Sequence, residues 1–223
     1  MAGYPIELNL DGRTVLVVGL GAVGRRKAAG LAAAGARVIG IDPHAVAIDG
    51  VDPRAEPYQI EHLRGVALVF AAATPEVNQQ VAADAKAAGI WVNAADDPSV
   101  GDFTVPAVGR VGGVTLTVST AGASPALAVA LRDRAVAALP PAAIGLTALF
   151  AELRPIVLDR LAGADPSVRR RVLADWGDPR WLDRYAADGP DALRAAILRT
   201  VDDARENGAD AATCFNFPIS GDG

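Results

Sequence analysis

Short apolar runs alternate with amphipathic stretches over the first hundred residues. Four runs are apolar and nearly free of charge, which is typical of strands covered on both faces of a sheet, and they lie at residues 14–18, 37–41, 66–72 and 90–92. Two Ala-rich stretches, at 25–34 and 76–88, are each followed by a glycine, as helices commonly are. The alternation predicts an α/β fold with a Rossmann-like, doubly wound parallel sheet.

The segment from residue 44 to residue 61 interrupts this pattern. Pro53, Pro57 and scattered acidic residues leave room for one short strand only. We expect that strand near residues 56–59.

The pattern changes again beyond residue 98. Apolar runs at 103–108 and 114–119, joined through residues 110–113, predict a hairpin. Ser124 is placed to cap a helix that starts at Pro125 and runs to about residue 138.

The rest of the chain predicts a small helical C-terminal domain. Pro140 and Pro141 indicate a hinge. Helical spacing follows at 144–161, where Pro155 is expected to interrupt the helix, and again at 167–175 and 191–205. The predicted divisions are a Rossmann-like domain at 1–110, a hairpin and helix at 111–140, a helical domain at 141–206 and a loosely ordered tail at 207–223.

Composition narrows the classes of protein. The 223 residues carry a formal charge of -5, which provides no general positive field for nucleic acid or an acidic membrane. Cys214, His44 and His62 are too few for a Cys/His metal cluster, and a single cysteine fits a reducing compartment. The first residues lack the basic and apolar regions of a signal peptide, and we expect no segment of about 20 residues to span a bilayer. These features predict a cytoplasmic protein with no bound metal.

Three glycines carry the clearest chemical signal. Gly19, Gly21 and Gly24 form a G-x-G-x-x-G motif between a predicted strand and a predicted helix. The first glycine permits the tight turn, the second lets the backbone approach a pyrophosphate, and the third lets the helix pack on the strand. The phosphates are then expected at the positive end of the helix that begins near Ala22.

The second strand ends at Asp42, 18 residues beyond Gly24. A carboxylate there accepts hydrogen bonds from the adenosine ribose hydroxyls and repels a 2′-phosphate, so the sequence predicts NAD rather than NADP. A glycine turn in some other α/β protein, with Asp42 capping a turn, is the alternative.

Two further segments have a chemical and an ordinary interpretation. Residues 93–98 end in Asp96-Asp97-Pro98 after a strand, where a carboxylate near a nicotinamide could take a proton, although Asp-Asp-Pro is also a common turn. Residues 119–125 suit a ligand carboxylate at a helix start, but also an ordinary capped helix. The basic residues 25–27 either face an anionic ligand or lie on a solvated helix face.

Taken together, these motifs resemble the precorrin-2 dehydrogenase family, which also supplies the N-terminal module of siroheme synthase. The matching segments follow the family order from about residue 4 to residue 140: residues 5–10; 15–19 with Gly21, Val23 and Arg26-Lys27; 71–74 with Val77-Asn78; 92–93 with 96–98; Asp102-Phe103 with Pro106-Ala107; Ser119-Thr120 with 122–125; 127–128; and 131–132.

The resemblance implies an NAD-dependent dehydrogenation of precorrin-2, a reduced tetrapyrrole, to sirohydrochlorin on the route to siroheme or cobalamin. It implies that Asp96 is the catalytic residue, that the Rossmann domain at 1–110 binds NAD, and that the protein is a homodimer. The hairpin and helix at 111–140 are then expected to contribute to dimerisation and to the substrate pocket. The residues that the resemblance assigns to the NAD site are Ala22, Val23, Asp42 and Pro43, with Thr74 in a matching segment, and those it assigns to the substrate pocket are Asn93, Ser119, Thr120 and Ser124. Arg110 and Arg132, together with Arg25, are further candidates for the substrate carboxylates.

The sequence departs from the family pattern in three places. Ala121 stands where the family usually has a second glycine, Gly101 stands where it often has a cysteine, and residues 44–59 do not match. We expect weak ferrochelatase activity at best, because neither histidine lies in a pocket segment. A non-catalytic NAD-sensing module and a dehydrogenase for another small substrate are the alternative functions.

Overall fold

The computed structural model describes residues 3–207, and the chain divides into two compact units, Met1–Val105 and Pro106–Gly223. The division falls five residues before the sequence-based boundary at residue 110. Residue 110 lies inside a strand of the second unit, and the earlier division keeps that hairpin whole. The expected tail lies outside the described residues apart from Asn207.

The first unit is a five-stranded parallel sheet, as predicted. Its strands lie in the order β3-β2-β1-β4-β5 and are β1 Thr14–Val18, β2 Arg37–Ile41, β3 Val51–Arg54, β4 Leu68–Ala71 and β5 Trp91–Ala94. Helix α1 is Ala22–Ala33 and helix α2 is Pro75–Ala87, with a short 3-10 helix at Ile60–Leu63. The strand order changes direction between β1 and β4, which is where ligands bind in folds of this kind.

Both faces of the sheet are covered by apolar side chains. Val15, Leu16 and Val17 of β1 are fully buried; Val15 and Val17 pack with residues of α1, and Leu16 packs with residues of α2. Each such side chain contributes about 1.5–3 kcal/mol of burial free energy. The unbroken apolar run at 14–18 follows from this double coverage.

The third strand was predicted in the wrong place. β3 occupies Val51–Arg54 and pairs only with β2, where Pro53 lies opposite Gly40. Proline lacks an N–H group but is tolerated in an edge strand, whose outer side makes no ladder hydrogen bonds. Taking Pro53 as a strand breaker therefore moved the predicted strand to 56–59.

The second unit begins with a hairpin and continues as helices. β6 Ala107–Val111 and β7 Val114–Val118 are antiparallel, and α3 Pro125–Ala137 packs along them. The remaining helices are α4 Pro141–Arg160, α5 Pro166–Asp175 and α6 Arg180–Asn207. Their core joins leucines and valines to the fully buried Trp181. The predicted hairpin and the predicted helical region are confirmed.

Three prolines and a glycine refine the predicted helices. Pro141 is the first residue of α4, where its missing N–H costs nothing, so the pair at 140–141 starts a helix rather than dividing the chain. α4 continues through Pro155, contrary to expectation, because Leu153 and Val157 on either side are fully buried in the helical core. α6 is broken at Gly189 (φ 76°, ψ 171°), a non-helical residue before Pro190. The predicted helix at 191–205 therefore corresponds to the part of α6 after the break, and residues 180–188 add a helical segment that was not predicted.

Helix α4 is also long and apolar enough to cross a membrane, judged by length and composition, which corrects the expectation that no segment could do so. Its buried side chains, Leu146, Leu149, Leu153 and Val157, pack in one core with residues of α6.

Candidate functional site

The glycine turn after β1 has no room for side chains at its first and third glycines. Gly19 has φ +89°, and a Cβ there would lie 2.4 Å from the carbonyl oxygen of Ala72. A Cβ on Gly24 would lie 1.8 Å from the carbonyl oxygen of Gly19. Gly21, by contrast, is exposed, and a Cβ on it would meet nothing within 4 Å. The middle glycine therefore leaves open space beside the backbone, not a packing contact.

The N-terminus of α1 opens onto the same turn. Gly21 is the N-cap residue and offers no side chain to cap the helix, and Ala22 and Val23 in the first turn are exposed. The first N–H groups of a helix have no partner within it, and with the helix dipole they attract anions. This end of α1 can hold a phosphate group.

Asp42, at the end of β2, is tied to the glycine turn. Its carboxylate accepts hydrogen bonds from the backbone N–H of Leu20 (2.7 Å) and of His44 (2.8 Å). Burial raises the pKa of Asp42, but those two hydrogen bonds and the charges of His44 and Arg25 outweigh it, so the pKa is lowered overall. The exposed Pro43 follows directly. A fixed, ionised carboxylate therefore lies beside the turn.

Asp96 lies just beyond the carboxyl end of β5, and its side chain is held by Asn78 of α2. The Nδ2 of Asn78 donates to Oδ1 of Asp96 at 2.7 Å. Asn78 is buried, whereas Asp96 is exposed. Thr74, the N-cap of α2, is exposed and accepts a long hydrogen bond from Val77 N–H at 3.5 Å.

The neighbouring Asp97 accepts hydrogen bonds within its own turn instead. Its Oδ1 accepts hydrogen bonds from the hydroxyl of Ser99 (2.6 Å) and from the backbone N–H of Ser99 (2.9 Å). These bonds hold the pKa of Asp97 below its usual value. Asp97 thus makes the ordinary turn, and Asp96 is left facing solvent.

Asn93 is buried and has partners at both ends of its amide. Its Oδ1 accepts from Nζ of Lys27 at 2.8 Å, and its Nδ2 donates to the carbonyl oxygen of Phe103 at 2.8 Å. Lys27 also lies 5.2 Å from the centre of the Phe70 ring. Burial, and then the charge of Arg26, lower the pKa of Lys27. Asn93 therefore joins α1 to the segment after β5.

The second unit contains the other predicted pocket loop, from Ser119 to Ser124. Oγ1 of Thr120 donates to the carbonyl oxygen of Ser124 and accepts from its N–H, at 3.0 and 3.1 Å. Ser124 caps α3 by accepting from Leu127 N–H at 3.2 Å, as predicted, and Ser119 accepts from Ala121 N–H. Ala121 has φ +52°, the left-handed conformation that favours the glycine of the family pattern.

The two arginines proposed for substrate differ. Arg110 on β6 is exposed, and no ion pair to it is found among residues 3–207. Arg132 on α3 donates to the carbonyl oxygen of Val108 at 3.0 Å and pairs with Asp133 at 2.7 Å. Arg25 of the first unit donates to the carbonyl oxygen of Leu20 at 2.7 Å. Only Arg110 is thus left without protein partners in the described part of the chain.

Sequence reasoning did not predict the contacts of Asn78 or Lys27: Asn78 was noted only as part of a matching segment, and Lys27, expected to face an anionic ligand or solvent, is half-buried and donates to Asn93. Asn78 begins the buried stripe of α2 that continues with Val81, Ala82 and Ala85, at helical spacing. A buried polar residue normally has a hydrogen-bond partner, so a polar residue within an apolar stripe indicates such a partner nearby in the fold. Lys27 gave no comparable signal, because its neighbours in sequence are basic and alanine residues.

Residues 6–107 match a protein family described as putative NAD(P)-binding. The class of the first unit is therefore that of an NAD(P)-binding Rossmann domain, and NAD, the predicted cofactor, is supported.

Relatives extend the match beyond that domain. The siroheme synthase of Nitrosomonas eutropha is 37% identical over 157 residues, which are 66% of this chain and 33% of that protein. Siroheme synthase 2 of Aeromonas hydrophila is 38% identical over 193 residues, 82% of this chain and 38% of that protein. The chain thus spans about a third of the length of these relatives.

A solved structure described as SirC, precorrin-2 dehydrogenase, has the same fold. It has a TM-score of 0.67 at 22% identity and covers 90% of this chain and all of that one. These matches support the family resemblance that the motifs predicted, to precorrin-2 dehydrogenase and siroheme synthase. Its relatives also support a soluble protein.

Proposed function

We propose that the chain oxidises precorrin-2 to sirohydrochlorin with NAD+. The observation that carries the proposal is the exposed carboxylate of Asp96 beyond β5, at the same sheet edge as the open glycine turn after β1. The substrate class comes from the relatives, one described as a precorrin-2 dehydrogenase and others as siroheme synthases.

The glycine turn, the start of α1 and Asp42 fit a dinucleotide. The space beside Gly21 admits a pyrophosphate, and the N–H groups of Ala22 and Val23 would bind it. Asp42 and the adjacent Pro43 would receive the adenosine ribose, and Thr74 would line the turn that faces the dinucleotide. A fixed anion at Asp42 disfavours a 2′-phosphate, so NAD is preferred over NADP.

When bound, NAD+ supplies the hydride acceptor. The oxidation removes a hydride and a proton from the substrate, and yields NADH and H+. Asp96 takes the proton: Asn78 occupies its Oδ1, and no hydrogen bond to its Oδ2 is found within residues 3–207.

The substrate carboxylates require positive partners in an acidic protein. Arg110 supplies an exposed guanidinium, and the start of α3 at Ser124, with Ser119 and Thr120, supplies hydroxyl and N–H donors. Arg132 in the second unit and Asn93 in the first are also proposed to contact substrate, and each has protein partners of its own.

The decisive experiment is an anaerobic assay of the purified chain with precorrin-2 and either NAD+ or NADP+. We expect turnover with NAD+, slower turnover with NADP+, and only a small residual turnover by Asp96→Asn despite normal NAD+ binding. Faster turnover with NADP+ would show that the role given to Asp42 is wrong. NAD+ binding without turnover of precorrin-2 would favour the NAD-sensing module, and turnover of another compound would favour a different dehydrogenase.

A second activity, insertion of Fe2+ into sirohydrochlorin, is proposed to be weak at best. The matched siroheme synthases are named for the iron-containing product. Incubating the chain with sirohydrochlorin and Fe2+, without NAD+, measures this activity. Siroheme formation well above the uncatalysed rate would contradict the proposal.

We also infer a cytoplasmic homodimer. Helix α3 is apolar around most of its circumference, yet Leu127 and Leu131 are 51% and 45% exposed in the single chain. A helix of this composition is normally covered, and a second copy of the hairpin and α3 would cover it. Sedimentation equilibrium tests this, and a monomer at micromolar concentration would contradict it. The single cysteine fits the reducing cytoplasm.

A further inference from the structure

The side chain of Asn78 connects two parts of the first unit that approach the proposed reaction centre. Its Oδ1 accepts a hydrogen bond from the N–H of Ala73 at 2.8 Å, and its Nδ2 donates to the carbonyl oxygen of Ala73 at 3.3 Å. The same Nδ2 donates to Asp96 at 2.7 Å. The amide thus makes three hydrogen bonds while it is only 1% exposed.

These partners fix which way the amide faces. The N–H of Ala73 is a donor, so only the oxygen of Asn78 can face it. The amide nitrogen must then face the carbonyl oxygen of Ala73 and Asp96, and both accept hydrogen bonds. A flipped amide would place hydrogens against the N–H of Ala73 and oxygen against a carboxylate. Asn78 therefore has a single favourable orientation, and it presents a hydrogen to Asp96.

The contact with Ala73 ties Asp96 to the glycine turn. Ala72 and Ala73 form the wall against which Gly19 packs, since a Cβ on Gly19 would lie 2.6 Å from the nitrogen of Ala73. Asp96 itself lies on the exposed segment beyond β5. It directly follows Ala95, whose N–H donates a hydrogen bond to the carbonyl oxygen of Ala71. Without Asn78, no side chain within residues 3–207 is seen to hold the carboxylate in place.

We propose that Asn78 is a positioning residue that sets the place and orientation of the Asp96 carboxylate relative to the dinucleotide turn. It binds one carboxylate oxygen and leaves the other for the proton of the substrate. The inference rests on the proposed function, in which Asp96 takes that proton. Nothing in Asn78 contacts the reacting atoms, so its effect on the reaction passes through Asp96.

The first test compares Asn78→Asp with Gln79→Asp. Asn78→Asp is nearly isosteric and retains an acceptor for Ala73 N–H, but it replaces the neutral N–H donor to Asp96 by a second carboxyl group. The two carboxyl groups repel each other when both are ionised and share one proton otherwise, so the fixed amide hydrogen bond is lost in either case. Gln79 is exposed on the same helix, so Gln79→Asp adds the same charge without touching that hydrogen bond. We expect kcat to fall about 100-fold in Asn78→Asp, the usual cost of misplacing a catalytic group, with unchanged NAD+ affinity and wild-type kcat in Gln79→Asp.

Two further variants separate positioning from a structural role. In an Asp96→Asn background, Asn78→Asp should lower the residual rate no further, because a residue that acts through Asp96 has nothing left to position. Asp96→Glu changes only an exposed side chain and moves the carboxylate away from Asn78 by one methylene. We expect it to lose most of the turnover while it folds and binds NAD+ normally.

The outcomes are distinct. Wild-type kcat in Asn78→Asp, or full turnover by Asp96→Glu, would overturn the positioning role and leave the proposed function standing. Loss of NAD+ affinity and kcat in parallel in Asn78→Asp would assign Asn78 to the fold alone. If Asn78→Asp does not fold, Asn78→Ala replaces it: a lower kcat with unchanged NAD+ affinity supports the positioning role, and wild-type kcat overturns it. If the wild-type chain does not oxidise precorrin-2, the proposed function fails, and the inference fails with it.

Discussion

Replacing Gly24 by alanine tests the closest packing contact in the nucleotide-binding turn. The added Cβ would lie 1.8 Å from the carbonyl oxygen of Gly19, and contacts under 3.0 Å are essentially never seen, so the two segments must separate by at least 1.2 Å. The obstacle is backbone and cannot rotate away. Overpacking of this severity lies at the upper end of the usual range and destabilises the fold by about 3 kcal/mol. The higher helix propensity of alanine relative to glycine offsets about 1 kcal/mol of this. The expected net destabilisation of the first unit is about 2 kcal/mol.

Hydrogen exchange of the amides in β1 and β4 measures this loss within the first unit. A destabilisation of about 2 kcal/mol corresponds to about 30-fold faster exchange, because about 1.4 kcal/mol is a factor of ten. Gly30→Ala, in the same helix, is the matched control, because a Cβ there meets nothing within 4 Å. It should stabilise the unit by up to about 1 kcal/mol. Equal exchange rates in the two variants would refute the packing argument.

Three further predictions test single features. Gly21→Ala should change the free energy of unfolding by less than about 1 kcal/mol but weaken NAD+ binding at least about tenfold, because the Cβ fills the space proposed for the pyrophosphate. Calorimetric titration measures the NAD+ affinity, and an unchanged affinity would contradict this prediction. Asp42→Asn should be less stable than wild type at pH 7. Because the folded pKa of Asp42 is lowered, its contribution is present above the unfolded value of about 3.9 and disappears as the pH falls through the folded pKa, so the two unfolding curves should converge in acid. Ala121→Gly should stabilise the second unit by about 1 kcal/mol in thermal unfolding, because it relieves a left-handed backbone; a destabilised variant would show that the loop is unstrained.

The elements that sequence patterns predicted best are those in which local and tertiary preferences agree. β1 and β2 have the predicted limits because their apolar runs are buried and bounded by glycine or aspartate. β3 and α4 differ from their predicted limits because each contains a proline. A proline in the sequence suggests that a strand or helix is interrupted, but its actual cost depends on the hydrogen bonds and packing around it in the fold. Pro53 lies on an edge strand, and Pro155 lies within a helix that is held by buried leucines. Neither environment can be predicted from the residues next to the proline in sequence.

The residues of the candidate site likewise differ in how far the local sequence predicts their roles. The glycine turn and Asp42 could be predicted because their functions follow from spacing around one strand and one helix. The sequence also marked residues 93–98, but the local pattern alone did not separate the turn-forming Asp97 from Asp96, and only the family resemblance favoured Asp96. That separation depends on Asn78, 18 residues away in sequence, and on which carboxylate its amide can reach.

The contact between Gly19 and Ala72 also bears on how the first unit folds. The two residues are 53 positions apart, and the turn gains its wall only when β4 has paired with β1. Pairing of distant parallel strands requires a large loop to close first and is slow for that reason. A chain emerging from the ribosome therefore has its complete glycine motif long before it has a place to bind a dinucleotide. Ligand can assist only the last steps of folding, after the central strands have met.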